Sequence, residues 1–427
     1  MPVTISQKLL LERRQALMGS AYRLFYEKPV HLVRGEGVWL YDADGKKYLD
    51  MYNNVPHVGH CHPQVVETIC EQVATLNTHT RYLHENVVNL AERLTAKFPK
   101  DLDTAMFCCT GSEANELALR IARTATGGEG IIVTDYAYHG NTQATYEITT
   151  ESCPLEDRPD YVVTVPVPDV YRGAHRGENA GEQYANYVHE ALRTLRQRGI
   201  RPAAFIIDTI VSSGGVVAPP PGYLSRVAAI VRDAGALFVA DEVQPGFGRV
   251  GSHFWGFAVD GVIPDIVSMG KPMGNGHPLA AVVTRKDVVE KFAARGRYFN
   301  TFGGNPVSCA AGLAVLDVIK NENLQENALE VGQHITNGMW KLAEKYECIG
   351  DVRGTGLFLA VELVTDRELH RPATELTAKV VNDLRDRGVL TGSIGPDGNI
   401  LKLRPPLVLT KDDADYLLDT LNGVLAG

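Results

Sequence analysis

Five short runs of this chain are almost wholly apolar: residues 131–133, 203–207, 236–240, 266–267 and 280–283. Apolar residues at consecutive rather than alternate positions mark strands that are buried on both faces. Helical periodicity fills the gaps. Ala114, Leu117, Ala118, Ile121, Ala122 and Ala125 recur at intervals of three and one, which predicts one helix face turned inward, and Gly127 and Gly128 follow as a stop. Further helices are predicted near 63–76, 86–97, 183–198, 223–233 and 307–321, and 140–180 reads as partly irregular. Strands alternating with helices predict an α/β fold, with a mostly parallel sheet covered on both faces. Ligands in such sheets bind beyond the carboxyl ends of the strands.

The pattern changes near Ala328. A helix, extended runs at 350–362 and 400–404 and a last helix suggest a smaller α+β domain. The first 30 residues open with an amphipathic helix-like stretch, and aromatic runs around Asp44-Gly45 read as a tight hairpin. The expected division is an N-terminal segment, 1–55, that packs with the small domain; a large domain, 56–325; and a C-terminal small domain, 326–427.

Composition narrows the class of function. The 427 residues carry a net charge of −9 with no long basic run, which argues against nucleic acid as a partner. No apolar run is long enough for a membrane span, and the charged N-terminus does not resemble a signal peptide. The seven cysteines are scattered and include no CxxC, so reduced thiols and a cytoplasmic location are expected. His57, His60, Cys61 and His62 lie close together, but their spacing matches no ligand set and no second cluster follows. No metal is expected. No GxGxxG follows a strand, so a dinucleotide is not expected either.

Chemistry gathers at the predicted strand ends. One apolar run stops at Asp241; another runs into a Gly- and Pro-rich loop holding Lys271. A lysine can form a Schiff base, and a carboxylate can keep a pyridinium nitrogen protonated. Both are requirements of a pyridoxal phosphate site. Gly111 and Ser112 stand where a helix begins, and free N–H groups there suit an anion; an ordinary Ser N-cap is the plainer alternative. Tyr138 closes a strand where an aromatic ring can stack on a flat cofactor or simply pack in the core.

Together the segments 111–115 (GSEAN), 138–140 (YHG), 241–249 (DEVQPGFGR), the Lys271 loop and 301–306 (TFGGNP) resemble the class III aminotransferase family, pyridoxal phosphate enzymes of fold type I. The resemblance spans nearly the whole chain. It implies that Lys271 carries the cofactor and acts as general base, and that Asp241 pairs with the pyridinium nitrogen. It places the phosphate on Gly111 and Ser112, the ring against Tyr138, and Gln244 near the ring oxygen. His139 and Asp208 fall in the same cofactor set. Thr301 is implied to reach the phosphate of a neighbouring subunit, hence a homodimer with shared sites.

Two departures from the family pattern stand out. Lys402 lies three residues before the final Pro-Pro, where family aminotransferases usually have an arginine, and Ser213 stands where a gating glutamate is usual. Lysine cannot make arginine's planar two-pronged carboxylate contact. With the 53–63, 270–278 and 402–406 segments, this most resembles the family's phospholyase branch. The implied reaction is elimination of phosphate from a phosphorylated amine, phosphoethanolamine first and phosphohydroxylysine as an alternative. Amino transfer from an ω-amine or β-amino acid is the other alternative. Substrate candidates are Lys402, Arg404, Arg81 and Asn54.

Overall fold

The computed structural model describes residues 6–427. The first five residues of the predicted N-terminal segment lie outside the described residues. A seven-stranded sheet forms the centre, in the order Thr104–Cys108, Ala280–Thr284, Ile266–Met269, Leu237–Asp241, Pro202–Asp208, Gly130–Thr134, Val162–Val165. Ala280–Thr284 runs antiparallel to both its neighbours, and the pairs from Ile266–Met269 to Val162–Val165 are all parallel. The all-apolar runs are explained by burial on two sides: Ile131, Val133, Phe205, Ile206, Val239, Val267 and Val282 are inaccessible to solvent. Each such side chain contributes roughly 1.5–3 kcal/mol relative to exposure. The Val162–Val165 strand was not anticipated, because only four residues long it lies within a stretch otherwise rich in turns.

The helix Gly111–Thr126 buries Ala114, Leu117, Ala118, Ile121 and Ala122 as its spacing predicts, and Gly127 closes it in a left-handed conformation. Pro306–Asn321 is buried along most of its length and packs on Pro63–Thr75 and Glu85–Thr95.

The chain's two ends meet in one sheet. Leu32–Glu36, Trp39–Asp42 and Lys47–Asp50 form an antiparallel meander, and Val389–Leu390 joins it in parallel through Val389 and Leu49. A second C-terminal sheet pairs Phe358–Asp366 with Ile400–Leu403, setting Lys402 opposite Ala360. The opening helix, Gln7–Met18, forms as expected but is not amphipathic in its packing. It buries none of its residues, and Leu9, Leu17 and Met18 stay exposed. Its leucines and charges are too evenly interleaved to give one apolar stripe.

All seven cysteines are free. The clustered histidines each turn to a different neighbour: His57 to Phe247 and Arg249, His60 to Asp50, His62 to Glu322. Among the described residues no helix is long and apolar enough to cross a membrane.

Candidate active site

Three adjacent parallel strands deliver the central groups. Asp208 and Asp241 are register partners at the ends of their strands, and Asp241 is in turn level with Ser268. Three residues past Ser268 the chain reaches Lys271. Asp208, Asp241, Gln244 and Lys271 line one cleft together with Gly111, Ser112, Tyr138 and His139. The sheet therefore brings together eight of the cofactor residues expected from the sequence.

Asp241 is held from three directions. Asn115 Nδ2 and His139 Nδ1 each donate to Oδ2 at 2.7 Å, and the Val243 N–H donates to Oδ1 at 3.0 Å. An acceptor-only carboxylate on Nδ1 fixes His139 as the Nδ1–H tautomer. Asn115 is itself oriented, because Ser268 Oγ donates to its Oδ1 and it donates to the His139 carbonyl at 2.8 Å. Asn115 and Ser268 have no role in the sequence reading. Their signal was present: each is a polar residue at a core position of an otherwise apolar element.

Ser112 is not the helix cap, the plainer alternative to an anion site. Thr110 is the N-cap, and with Glu113 it forms a reciprocal capping box. Ser112 is thereby released to face the cleft, where its Oγ accepts the Asn141 N–H at 3.1 Å. First-turn N–H groups have no partner within the helix, which leaves a positive, donor-rich end beside the cleft.

Lys271 is half-buried. Burial and the neighbouring Arg404 guanidinium push its amine below the usual lysine range, while Asp241 and Asp208 pull it back in part. Burial and the Asp241 charge raise the Asp208 carboxyl, against hydrogen bonds from Ser212 and the Ile210 N–H.

Lys402, Arg404 and Asn54 are buried and are not among the residues that line the cleft; Arg404 and Asn54 touch its wall through Gln244. Lys402 Nζ donates to the Ser212 carbonyl at 3.3 Å and lies 5.4 Å from the Phe358 ring centre. Among the described residues it makes no ion pair, and burial with the Arg404 charge pushes its amine far below the lysine range. Arg404 instead spends an N–H on Gln244 Oε1 and lies over the Tyr52 ring at 4.4 Å. Asn54 also donates to Gln244 Oε1, at 3.3 Å. Arg81 and Thr301 do not join this cleft. Both are exposed, and Arg81 sits 3.8 Å from the Phe299 ring centre.

Pyridoxal phosphate fits these residues on three structural counts. Asp241 offers a fixed carboxylate beside a lysine of lowered basicity. Gly111 lets Val243 pack against the helix start that lines the cleft, since a Cβ on it would meet the Val243 side chain at 2.8 Å. Gly140 has φ +143°, and a Cβ there would meet Ser112 Oγ at 2.7 Å, so only glycine lets this loop close on the helix start.

Comparison with known proteins agrees with this geometry. A family model described as "Aminotransferase class-III" matches residues 25–425. A Drosophila melanogaster protein named "Alanine--glyoxylate aminotransferase 2-like" is 44% identical, covering 97% of this chain and 86% of its own. A Caenorhabditis elegans protein named "Ethanolamine-phosphate phospho-lyase homolog 1" is 41% identical, covering 98% and 94%. A solved Arthrobacter phospholyase in complex with phosphoethanolamine is 46% identical with a TM-score of 0.95, covering 98% of this chain and 99% of that one. With nearly its full length matched and its strand-end lysine and aspartate set for the same cofactor, the chain belongs to the class III aminotransferase family of pyridoxal phosphate enzymes.

Proposed function

We propose that this enzyme is a phospho-lyase whose substrate is O-phosphoethanolamine. The observation that carries the reading is Lys402. A buried amine with one carbonyl partner and no carboxylate stands where family aminotransferases usually have an arginine, and Ser213 stands where its gating glutamate is usual. The likeness to the Arthrobacter phospholyase supports the same substrate class.

Bound pyridoxal phosphate supplies an electron sink for the pair left when the amine-bearing carbon loses its proton. Lys271 takes that proton, and its lowered basicity leaves more of it in the free-base form near neutrality. The C–O bond to phosphate then breaks with its electron pair going to oxygen, and a carbon–carbon double bond forms. Expelled unprotonated, the leaving group would be a trianion. Lys402 takes up the proton of the substrate's phosphate monoanion when that charge binds beside it, and returns the proton to the leaving oxygen, so phosphate departs as a dianion. The enamine takes up water and yields acetaldehyde and ammonia, so one phosphoethanolamine and one water give one acetaldehyde, one ammonia and one phosphate.

Incubation with phosphoethanolamine and no keto acid should release phosphate and acetaldehyde in equal amounts. A requirement for a keto acid acceptor, or accumulation of the pyridoxamine form, would replace elimination by amino transfer. Phosphohydroxylysine, assayed alongside, ranks the two phosphorylated amines.

The active enzyme is proposed to be a homodimer. Around Arg81 and Thr301 the surface exposes Tyr82, Leu83, Phe299 and Phe302, with Leu83 at 99% and Phe302 at 67%. Large apolar side chains grouped at one place mark a surface to be covered, and Thr301 is exposed there and does not line its own cleft. Sedimentation should give twice the 46.6 kDa chain mass. A monomer with full activity would refute the shared site.

A further inference from the structure

Four side chains form a single-file hydrogen-bond chain beside the cleft. Arg404 Nη1 donates to Gln244 Oε1, Gln244 Nε2 donates to Ser212 Oγ, and Ser212 Oγ donates to Asp208 Oδ2. The direction of every bond is forced by the ends. A guanidinium has donors only, so the amide oxygen of Gln244 must face Arg404. With the amide oxygen on Arg404 the amide nitrogen faces Ser212 Oγ, which accepts from it, and the Ser212 N–H donating to the same Asp208 Oδ2 at 3.2 Å marks that oxygen as the acceptor of the hydroxyl hydrogen. Asn54 Nδ2 gives a second donor to the same amide oxygen at 3.3 Å, which penalises the flipped amide further. Gln244, Ser212 and Arg404 are all buried, so an amide turned the wrong way would set donor against donor out of water's reach.

The fixed amide has a consequence. An amide nitrogen carries two hydrogens, and Ser212 takes one. The other belongs to a residue that lines the cleft with Asp208, Asp241 and Lys271. We propose that Arg404 and Ser212 are positioning residues that hold Gln244 with this second N–H available to the anionic ring oxygen of pyridoxal phosphate. Arg404 thereby serves the cofactor rather than the substrate phosphate, and Lys402 is left as the cation for that phosphate. The relay is needed in elimination and in amino transfer alike.

A donor on the ring oxygen, backed by a guanidinium charge, stabilises the oxygen's negative form and weakens its hold on the proton shared with the Lys271 nitrogen. That proton leaves at lower pH when the relay is intact. Arg404 also lowers the Lys271 amine directly. The relay is tested by titrating the visible absorbance of the holoenzyme against pH, without substrate. Arg404→Met should raise the midpoint by about one pH unit. Ser212→Ala should raise it by less, since the amide loses one constraint and keeps the guanidinium. Arg404→Lys should restore part of the shift, because a lysine can still donate to Gln244 Oε1.

A double-mutant cycle separates the relay from simple charge removal. In a Gln244→Ala background Arg404→Met should shift the midpoint by much less than in the wild type. Equal shifts in both backgrounds, or a wild-type midpoint in both Arg404→Met and Ser212→Ala, would overturn the proposal. Far-UV circular dichroism and cofactor stoichiometry confirm that each variant is folded and loaded. Should Arg404→Met fail to fold, Ser212→Ala and Arg404→Lys carry the test, and wild-type midpoints in both reject it.

Discussion

Replacing Lys271 by alanine is expected to remove the absorbance band of the lysine–cofactor linkage and to lower turnover by roughly 10,000-fold, the upper range for a positioned proton-transfer group. Two losses coincide, since the amine both holds the cofactor and takes the substrate proton. Cofactor should still bind through the Gly111–Ser112 helix start and Asp241, because neither depends on the lysine. Free rather than linked pyridoxal phosphate should therefore copurify with the variant. The same site fixes a pH effect. Burial and Arg404 lower the Lys271 amine, so the free base that attacks the cofactor aldehyde appears at lower pH than for an exposed lysine. Loading of the apoenzyme should accordingly reach its plateau below the usual lysine range. Retention of the linked band in Lys271→Ala, seen by absorbance and by borohydride trapping, would reject the central assignment.

The second large effect is expected at Lys402. Lys402→Met should reduce phosphoethanolamine turnover by roughly 100- to 1,000-fold, the scale of losing one preorganised electrostatic partner in a dry site. Its stability should move the other way. Lys402 is buried with a single long hydrogen bond and no ion pair among the described residues, so the folded state bears a desolvation cost that methionine lacks. Thermal unfolding of Lys402→Met is thus expected at the wild-type temperature or above it. Activity lost with stability kept is the pattern of a functional cation. Wild-type turnover would remove Lys402 from the reaction, and a collapse of stability would make it a structural residue. Lys402→Arg should recover little, because a planar fork does not reproduce a compact donor at this position.

The eight residues that share the cleft were legible because they sit in short, contiguous motifs with backbone-level requirements. A glycine must stand where a Cβ would strike Val243, and an acid must end a buried strand. The plainer alternative of a Ser112 cap is set aside, since Thr110 and Glu113 cap the helix through a reciprocal pair that a single-residue preference does not show. The opening helix showed apolar content without a core to receive it. Arg81 could be named as a cation and Thr301 from the family resemblance, yet the fold of the chain sets both outside this cleft.

The sequence by itself determined the α/β class, the strands buried on both faces, and the lysine and aspartate that line one cleft. These follow from periodicity and from residues that act close to where the chain places them. Only the tertiary structure decided the division of labour between Lys402 and Arg404, two residues apart and alike in charge. The strand Ile400–Leu403 ends between them, so Lys402 stays in the sheet and meets the Ser212 carbonyl, while Arg404 lies past the strand end and meets the Gln244 amide. Hydrogen-bond direction in a buried network depends on every partner at once. Those partners come from positions 54, 208, 212, 244 and 404, which no local pattern joins.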